Sequence, residues 1–187
     1  MKKKLIFFIV CIMIIIDQLI KVIINKYYLN TKFEIVPSLL EFKPTFNDKY
    51  NYFNFLLSSY WNINIKLWIH IITLFIGLIV MLLIYDYLQS ISKKSKLLNL
   101  SFIFWLAGIS CTFIGWVFWE KGVLDYIYLK PLFVFDLKDL YLDSFICLLL
   151  IYLHKHKKEW KSDSTHHMIN HMKEHLTFLF RNKKNKP

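Results

Sequence analysis

The chain is poor in residues that interrupt helices, with only 4 Gly and 4 Pro among 187 residues. That scarcity leaves room for long helices. Cysteine is equally thin: Cys11, Cys111 and Cys147 all lie in apolar runs, none at metal-ligand spacing. A disulfide framework is therefore not expected, and the three read as small buried hydrophobes. There is no Gly-rich phosphate loop, no internal repeat and no zinc-binding H-E-x-x-H. No Ser/His/Asp or Cys/His set suggests itself as a nucleophile. What the chain does have is 56% hydrophobic residues, 18% aromatics and a formal charge of +11. Apolar residues and charges are segregated, which is how a membrane protein reads. The basic charge flanks the apolar runs, so topology explains it and nucleic acid is not implied.

Four runs are expected to cross the membrane: about 5–24, 67–84, 100–119 and 132–153. Each is near the ~20 helical residues that a ~30 Å hydrocarbon core requires. Helices are favoured because a span must satisfy its own backbone. Lys2, Lys3 and Lys4, then Lys93, Lys94 and Lys96, then Lys155, Lys157, Lys158 and Lys161 fall on one side of such a topology. The positive-inside rule puts them, and both termini, in the cytoplasm. In the outer segments, 26–66 and about 120–131, Glu34, Glu41, Asp48, Glu120 and Asp125 offset the lysines. Trp61, Trp68, Trp116 and Trp119 sit near outer ends, as an interfacial belt would. The first run lacks a small-residue cleavage site and continues into Asp17-Gln18, so it reads as a retained anchor.

The informative residues are charges inside the apolar runs, because such charges are costly there. Asp17 and Lys21 share one helix face. Asp17 lies roughly 18 Å along the helix from Leu5, and Lys21 about 6 Å further. The pair is either a self-neutralising couple that eases insertion or part of a polar cavity opening outward. Asp136, Asp139 and Asp143 follow at i, i+3 and i+7, one helical stripe, and Asp125 precedes them in the loop. Two carboxylates sharing a site cannot both ionise cheaply, so one becomes a general acid while the other activates water. That is the arrangement of an aspartic protease.

The order of these motifs resembles the signal peptidase II family, bacterial lipoprotein signal peptidases. Asp17-Gln18-Leu19-Ile20-Lys21 matches the family's D-x-x-x-K in the first span. Residues 34–40, Glu-Ile-Val-Pro-Ser-Leu-Leu, look like the approach to its extracytoplasmic cradle. Asn47, followed by Phe53, looks like a stretched N-x-G-x-A-F. Residues 122–127, Gly-Val-Leu-Asp-Tyr-Ile, look like G-x-V-V-D-F-I, and residues 135–139, Phe-Asp-Leu-Lys-Asp, like F-N-x-A-D. The resemblance spans residues 5 to about 154 and implies an all-α membrane protein of four spans with a small β-containing cap. That gives a membrane domain over 1–154, cap 26–66, and a basic, His-rich cytoplasmic tail over 155–187.

The resemblance further implies a monomeric aspartic endopeptidase of the bacterial inner membrane, its site facing outward among membrane lipids. It would remove signal peptides from diacylglyceryl-modified prolipoproteins without metal or organic cofactor. Asp125 and Asp139 would be catalytic, with Asp143 the alternative to Asp139, because Asp143-Ser144-Phe145-Ile146 resembles the family's D-S-x-I. Asp139 is preferred because about 22 Å of helix follows it to His154, against about 16 Å from Asp143. Asp17, Lys21, Asn47 and Asp136 would order the site. The sequence departs from the pattern at the end of the third span: residues 114–121, Ile-Gly-Trp-Val-Phe-Trp-Glu-Lys, stand where the family has G-N-x-x-D-R. Asp136 replaces the Asn of F-N-x-A-D, and Lys138 replaces a small residue.

Two other readings stand beside this one. A catalytically inactive relative would bind lipidated peptides or a membrane partner. A small transporter would line an ion path with Asp136, Asp139 and Asp143, though the missing inverted repeat speaks against it. In the tail, His167, His171 and His175 share a helix face. A lipid-facing amphipathic segment with Leu176, Phe178, Leu179 and Phe180 is preferred there over a metal site.

Overall fold

The computed structural model describes residues 3–49, 52–63, 65–91 and 95–157. Lys2, Lys93, Lys94 and the His-rich tail from residue 158 onward lie outside the described residues, as do the side chains of Lys3 and Phe53. The protein is mostly helical, with one small antiparallel sheet at one end of the helices.

Helix α1 (Lys3–Ile23) runs on through a wider turn, Ile24–Tyr28, into the first cap segment. Strands β1 (Phe33–Val36) and β2 (Leu40–Asn47) and the short helix α2 (Tyr52–Trp61) follow. Helices α3 (Leu67–Ile91) and α4 (Lys96–Phe118) form an antiparallel return, after which come strands β3 (Val123–Leu129) and β4 (Phe133–Phe135) and helix α5 (Leu137–Lys155). Among the described residues, three helical stretches are long and apolar enough to cross a membrane: 4–28, 67–91 and 96–118. Helix α5 has 19 residues but carries Lys138, Asp139 and Asp143 in its first two turns.

Helix α4 is central, and the glycine at its middle matters. At Gly108 an added Cβ would lie 2.7 Å from Leu142, so the glycine is what lets α5 approach. Val10, Ile103, Ala107, Cys111 and Tyr141 form the buried core shared by α1, α4 and α5. A second cluster, Tyr87, Leu88, Leu98 and Tyr152, ties α3 to α4 and α5 at the opposite end from the sheet. Polar pins accompany it: Tyr85 and Gln89 both donate to Asn99 Oδ1 at 2.5 and 2.8 Å, and Tyr152 donates to the Leu88 carbonyl at 3.1 Å. Such bonds are the normal device for joining apolar helices where burial alone gives little specificity. Most of the α1 and α3 surface is exposed Leu, Ile, Val and Phe, the outward face expected of helices whose solvent is lipid.

The sheet runs β1-β2-β3-β4, each neighbour antiparallel. Its central pair joins segments 26–66 and 120–131: β2 lies on β3 with Thr45 opposite Asp125 and Asn47 opposite Val123. The register shifts between Phe42 and Thr45, the stretch holding Pro44, because proline cannot donate to the ladder and is tolerated at such irregularities. Gly122 opens β3 at φ +95°, and a Cβ there would meet the Asn47 carbonyl oxygen at 2.4 Å. Glycine is required at this position both by the backbone and by the approach of β2. The cap is therefore more than segment 26–66: half its sheet comes from the residues before α5. The fourth apolar run also differs from the expected 132–153. Residues 133–135 are strand, and the helix starts at Leu137 because Asp136 caps it.

Candidate active site

Asp136 organises the start of α5. Its Oδ1 accepts from the Asp139 amide at 3.3 Å, while Asp139 Oδ2 accepts from the Asp136 amide at 3.1 Å. This reciprocal capping box satisfies two donors that a helix start otherwise leaves free. It also fixes Asp136 and Asp139 with their carboxylates on the sheet side of the helix, where Asp125 projects from β3. One oxygen from each of Asp125, Asp136 and Asp139 lies within 4.8 Å of the others.

A lysine fills the space between them. Lys138 Nζ stands 2.9 Å from Asp125 Oδ1, 2.9 Å from Asp136 Oδ1 and 3.1 Å from Asp139 Oδ2. Asp136 is shared with a second lysine: Lys21 Nζ is 2.7 Å from Asp136 Oδ2 and 2.9 Å from Asp17 Oδ2. Asp17, Lys21 and Asp136 are fully buried. The chain of contacts extends further at both ends. Gln18 donates to Asp17 Oδ2 at 2.8 Å and accepts from Trp119 Nε1 at 3.1 Å. Asn47 donates to Asp125 Oδ2 at 3.3 Å. One polar network thus crosses from the end of α4, through α1 and α5, to β3 and β2. Buried charges of this kind persist only when paired and hydrogen-bonded.

The two outer carboxyls differ in exposure. The Asp125 side chain is 5% exposed, that of Asp139 37%. Burial pushes the Asp125 carboxyl above the ordinary aspartate range, against the opposing pull of the Lys138 ammonium and with added repulsion from Asp136. Asp125 is thus the more enclosed of the two, and Asp139 faces the opening. Asp143 is exposed one turn further along α5, outside the group formed by Asp125, Asp136 and Asp139.

Every site residue named from sequence except Asp143 is brought into this network. Three participants were not among the expected site residues: Gln18, Trp119 and Lys138. Lys138 stood out only as a departure from a pattern. The signal that marks it is a lysine between two acids in the first turn of a helix, where a cation opposes the helix dipole and needs another reason to be there. Glu120 and Lys121, which stand near the missing acid and arginine of the third span, do not enter the network. They are exposed and line a 440 Å³ cavity beside Gln18, Asn25, Phe46 and Trp119.

Fold and site together define a membrane-helix protein with an acid-lined polar cluster under a small sheet. The sequence profile described as Signal peptidase (SPase) II matches residues 9–155. The chain belongs to the signal peptidase II family, membrane proteases of lipoprotein processing. Two solved structures have the same fold. One, described as "Bacterial membrane enzyme structure by the in meso method at 2.3 A resolution", is 21% identical, covering 83% of this chain and 91% of that one, with a TM-score of 0.64. A second with the same wording at 1.9 A is 20% identical, covering 81% and 94%, with a TM-score of 0.56. A search of the curated proteins finds no match.

Proposed function

We propose that this chain is an aspartic endopeptidase that removes signal peptides from diacylglyceryl-modified prolipoproteins, with Asp125 and Asp139 as its catalytic pair. The observation that carries the reading is that these two carboxyls, from a strand and a helix 14 residues apart in sequence, converge so closely that one atom sits within 3.1 Å of both. A hydrolytic water needs that spacing.

The chemistry follows from their exposures. Asp139, ionised and open to the outside, takes a proton from water as its oxygen attacks the scissile carbonyl carbon. Asp125 gives its proton to the carbonyl oxygen. Collapse of the resulting diol breaks the C–N bond, returns a hydroxyl proton to Asp125 and passes the proton held by Asp139 to the leaving amine. Asn47 steadies Asp125, and Asp17, Lys21 and Asp136 hold the start of α5 against α1.

In this reading α5 is the fourth span. Its 19 residues extend about 28 Å, close to the hydrocarbon thickness. Both termini are then cytoplasmic and the cap lies outside the inner membrane. The membrane domain covers 1–154, acting as a monomer, with the basic tail inside. Substrate enters sideways from the lipid and is cut just before its lipidated cysteine.

The test is cleavage of a diacylglyceryl-modified prolipoprotein by the full chain in phospholipid vesicles. Asp125→Asn and Asp139→Asn each lower the rate about a thousandfold, the scale of lost acid–base catalysis. Asp143→Asn does not. Retained cleavage in either of the first two variants rules out the pair. One observation favours a second reading, a non-cleaving binder of lipidated peptides: the ammonium of Lys138 already stands between the two carboxyls.

A further inference from the structure

We propose that Lys138 is a built-in plug: its ammonium occupies the point between Asp125 and Asp139 that a hydrolytic water needs, and the resting site stays closed until that side chain withdraws. The inference rests on the reading of Asp125 and Asp139 as the water-activating pair.

Donor arithmetic supports it. A lysine ammonium has three N–H donors and no acceptor. Those of Lys138 face Asp125, Asp136 and Asp139 at 2.9, 2.9 and 3.1 Å, so none is left to polarise a substrate carbonyl or hold a water. The side chain is 8% exposed and fills its place. It is also tethered. Asp136 is held from behind by Lys21 at 2.7 Å, and Asp136 in turn holds Lys138. The residue that caps α5 therefore also anchors the plug.

The two substitutions relative to F-N-x-A-D belong together. Asp in place of Asn adds one negative charge, and Lys in place of the small residue adds one positive. They meet as a buried ion pair at 2.9 Å. Either alone would change the net charge of the site by one, whereas the two together leave it unchanged. The exit is on the side of Asp139, the only one of the three carboxylates with substantial exposure. Lys138 is near the start of α5, and its flexible four-carbon stem can swing its ammonium outward past Asp139.

The experiment compares wild type, Lys138→Ala and the charge-neutral double variant Asp136→Asn/Lys138→Ala, each as the full chain in phospholipid vesicles. Two probes are used. One is a diacylglyceryl lipopeptide with a secondary alcohol at the scissile position, which must reach both carboxyls. The other is its methylene analogue, which makes no such contact. The plug predicts that the double variant binds the alcohol about tenfold more tightly than wild type, the scale of one hydrogen bond to a charged group. The methylene analogue gains nothing. Prolipoprotein cleavage rises by a similar factor.

Equal or weaker binding of the alcohol by the double variant, with its thermal transition intact, overturns the plug. Loss of folding in Lys138→Ala alone leaves the double variant to decide, since that variant keeps the net charge of the site unchanged. If the alcohol gains affinity but no variant cleaves, the plug stands and the peptidase reading falls. If wild type cleaves as fast as the double variant, the plug falls and the peptidase reading stands.

Discussion

Apart from Lys138, two lysines among the described residues each bridge carboxylates from different elements, and their settings are opposite. Lys130, in the turn between β3 and β4, reaches Glu34 on β1 at 2.7 Å and Glu41 on β2 at 3.2 Å, across the exposed face of the cap. Lys21, inside α1, reaches Asp17 and Asp136 at similar distances with all three side chains fully buried. The contact geometry is nearly the same, but the energetics are not. Around Lys130, water and salt screen each charge, and the long side chains lose entropy when fixed, so the bridge contributes little. Around Lys21 each charge has already lost its water, so its partners are what make burial tolerable. Distance alone does not tell a structural ion pair from an ornamental one; solvent access does.

The largest effect is expected from breaking the buried side. Lys21→Met fills similar volume but leaves Asp17 and Asp136 without their shared cation. Removing one partner of a buried pair costs about 3–5 kcal/mol, most of it the penalty of the stranded charge. Chemical unfolding of the detergent-solubilised protein should show that loss. Adding Asp17→Asn to Lys21→Met should restore part of it. A Lys21→Met protein as stable as wild type would mean that water reaches these carboxylates and that burial does not separate the two lysines.

The same contrast explains how much was legible in the sequence. Asp17 and Lys21 were readable because an acid and a base four residues apart inside an apolar run have few reasons to be there. The apolar runs themselves gave the helices, since a residue surrounded by lipid needs little beyond length and hydropathy. Gly122 and Asp125 were readable through the motif they share. The cap was less so. Its sheet pairs residues about 80 apart, Asn47 with Val123, and no local periodicity encodes that partnership. The start of α5 was placed early for a related reason: residues 133–135 are apolar enough to extend the helix, but pairing with β3 claims them and the Asp136–Asp139 capping box sets the boundary. Lys138 was visible as a misfit, yet its role depends on three carboxylates that only the fold brings together.

A smaller effect concerns Asp125, a member of the buried network whose environment is pulled both ways. Burial raises its carboxyl, while the Lys138 ammonium and then the Asn47 amide favour the ionised form. Asn47→Ala removes the amide donor and so raises the carboxyl further. If Asp125 is the acid of the pair, cleavage fails once it loses its proton, which makes it the alkaline limb of the rate profile. That limb should lie above the ordinary aspartate value of about 3.9 and move to higher pH in Asn47→Ala. Measuring kcat/KM against pH in both proteins checks this. A limb that stays put, or moves to lower pH, would assign it to another group.

The smallest effect is expected at the exposed bridge. The Glu34 carboxyl is held below the ordinary range by its hydrogen bond from Lys130, and Lys130 is held above its own by Glu34 and then Glu41. The signs fix the window. The Glu34 contribution is present above the ordinary glutamate pKa and fades as pH falls through the lowered value; the Lys130 contribution is present below the ordinary lysine pKa and fades as pH rises through the raised one. Near neutrality both are in force, yet both groups are solvated. Lys130→Met should therefore leave the thermal transition within measurement scatter at moderate salt, with a small loss appearing only at low ionic strength. If Lys130→Met instead destabilises the protein as much as Lys21→Met, the cap is held together by its charges. Burial would then not be what distinguishes the two lysines.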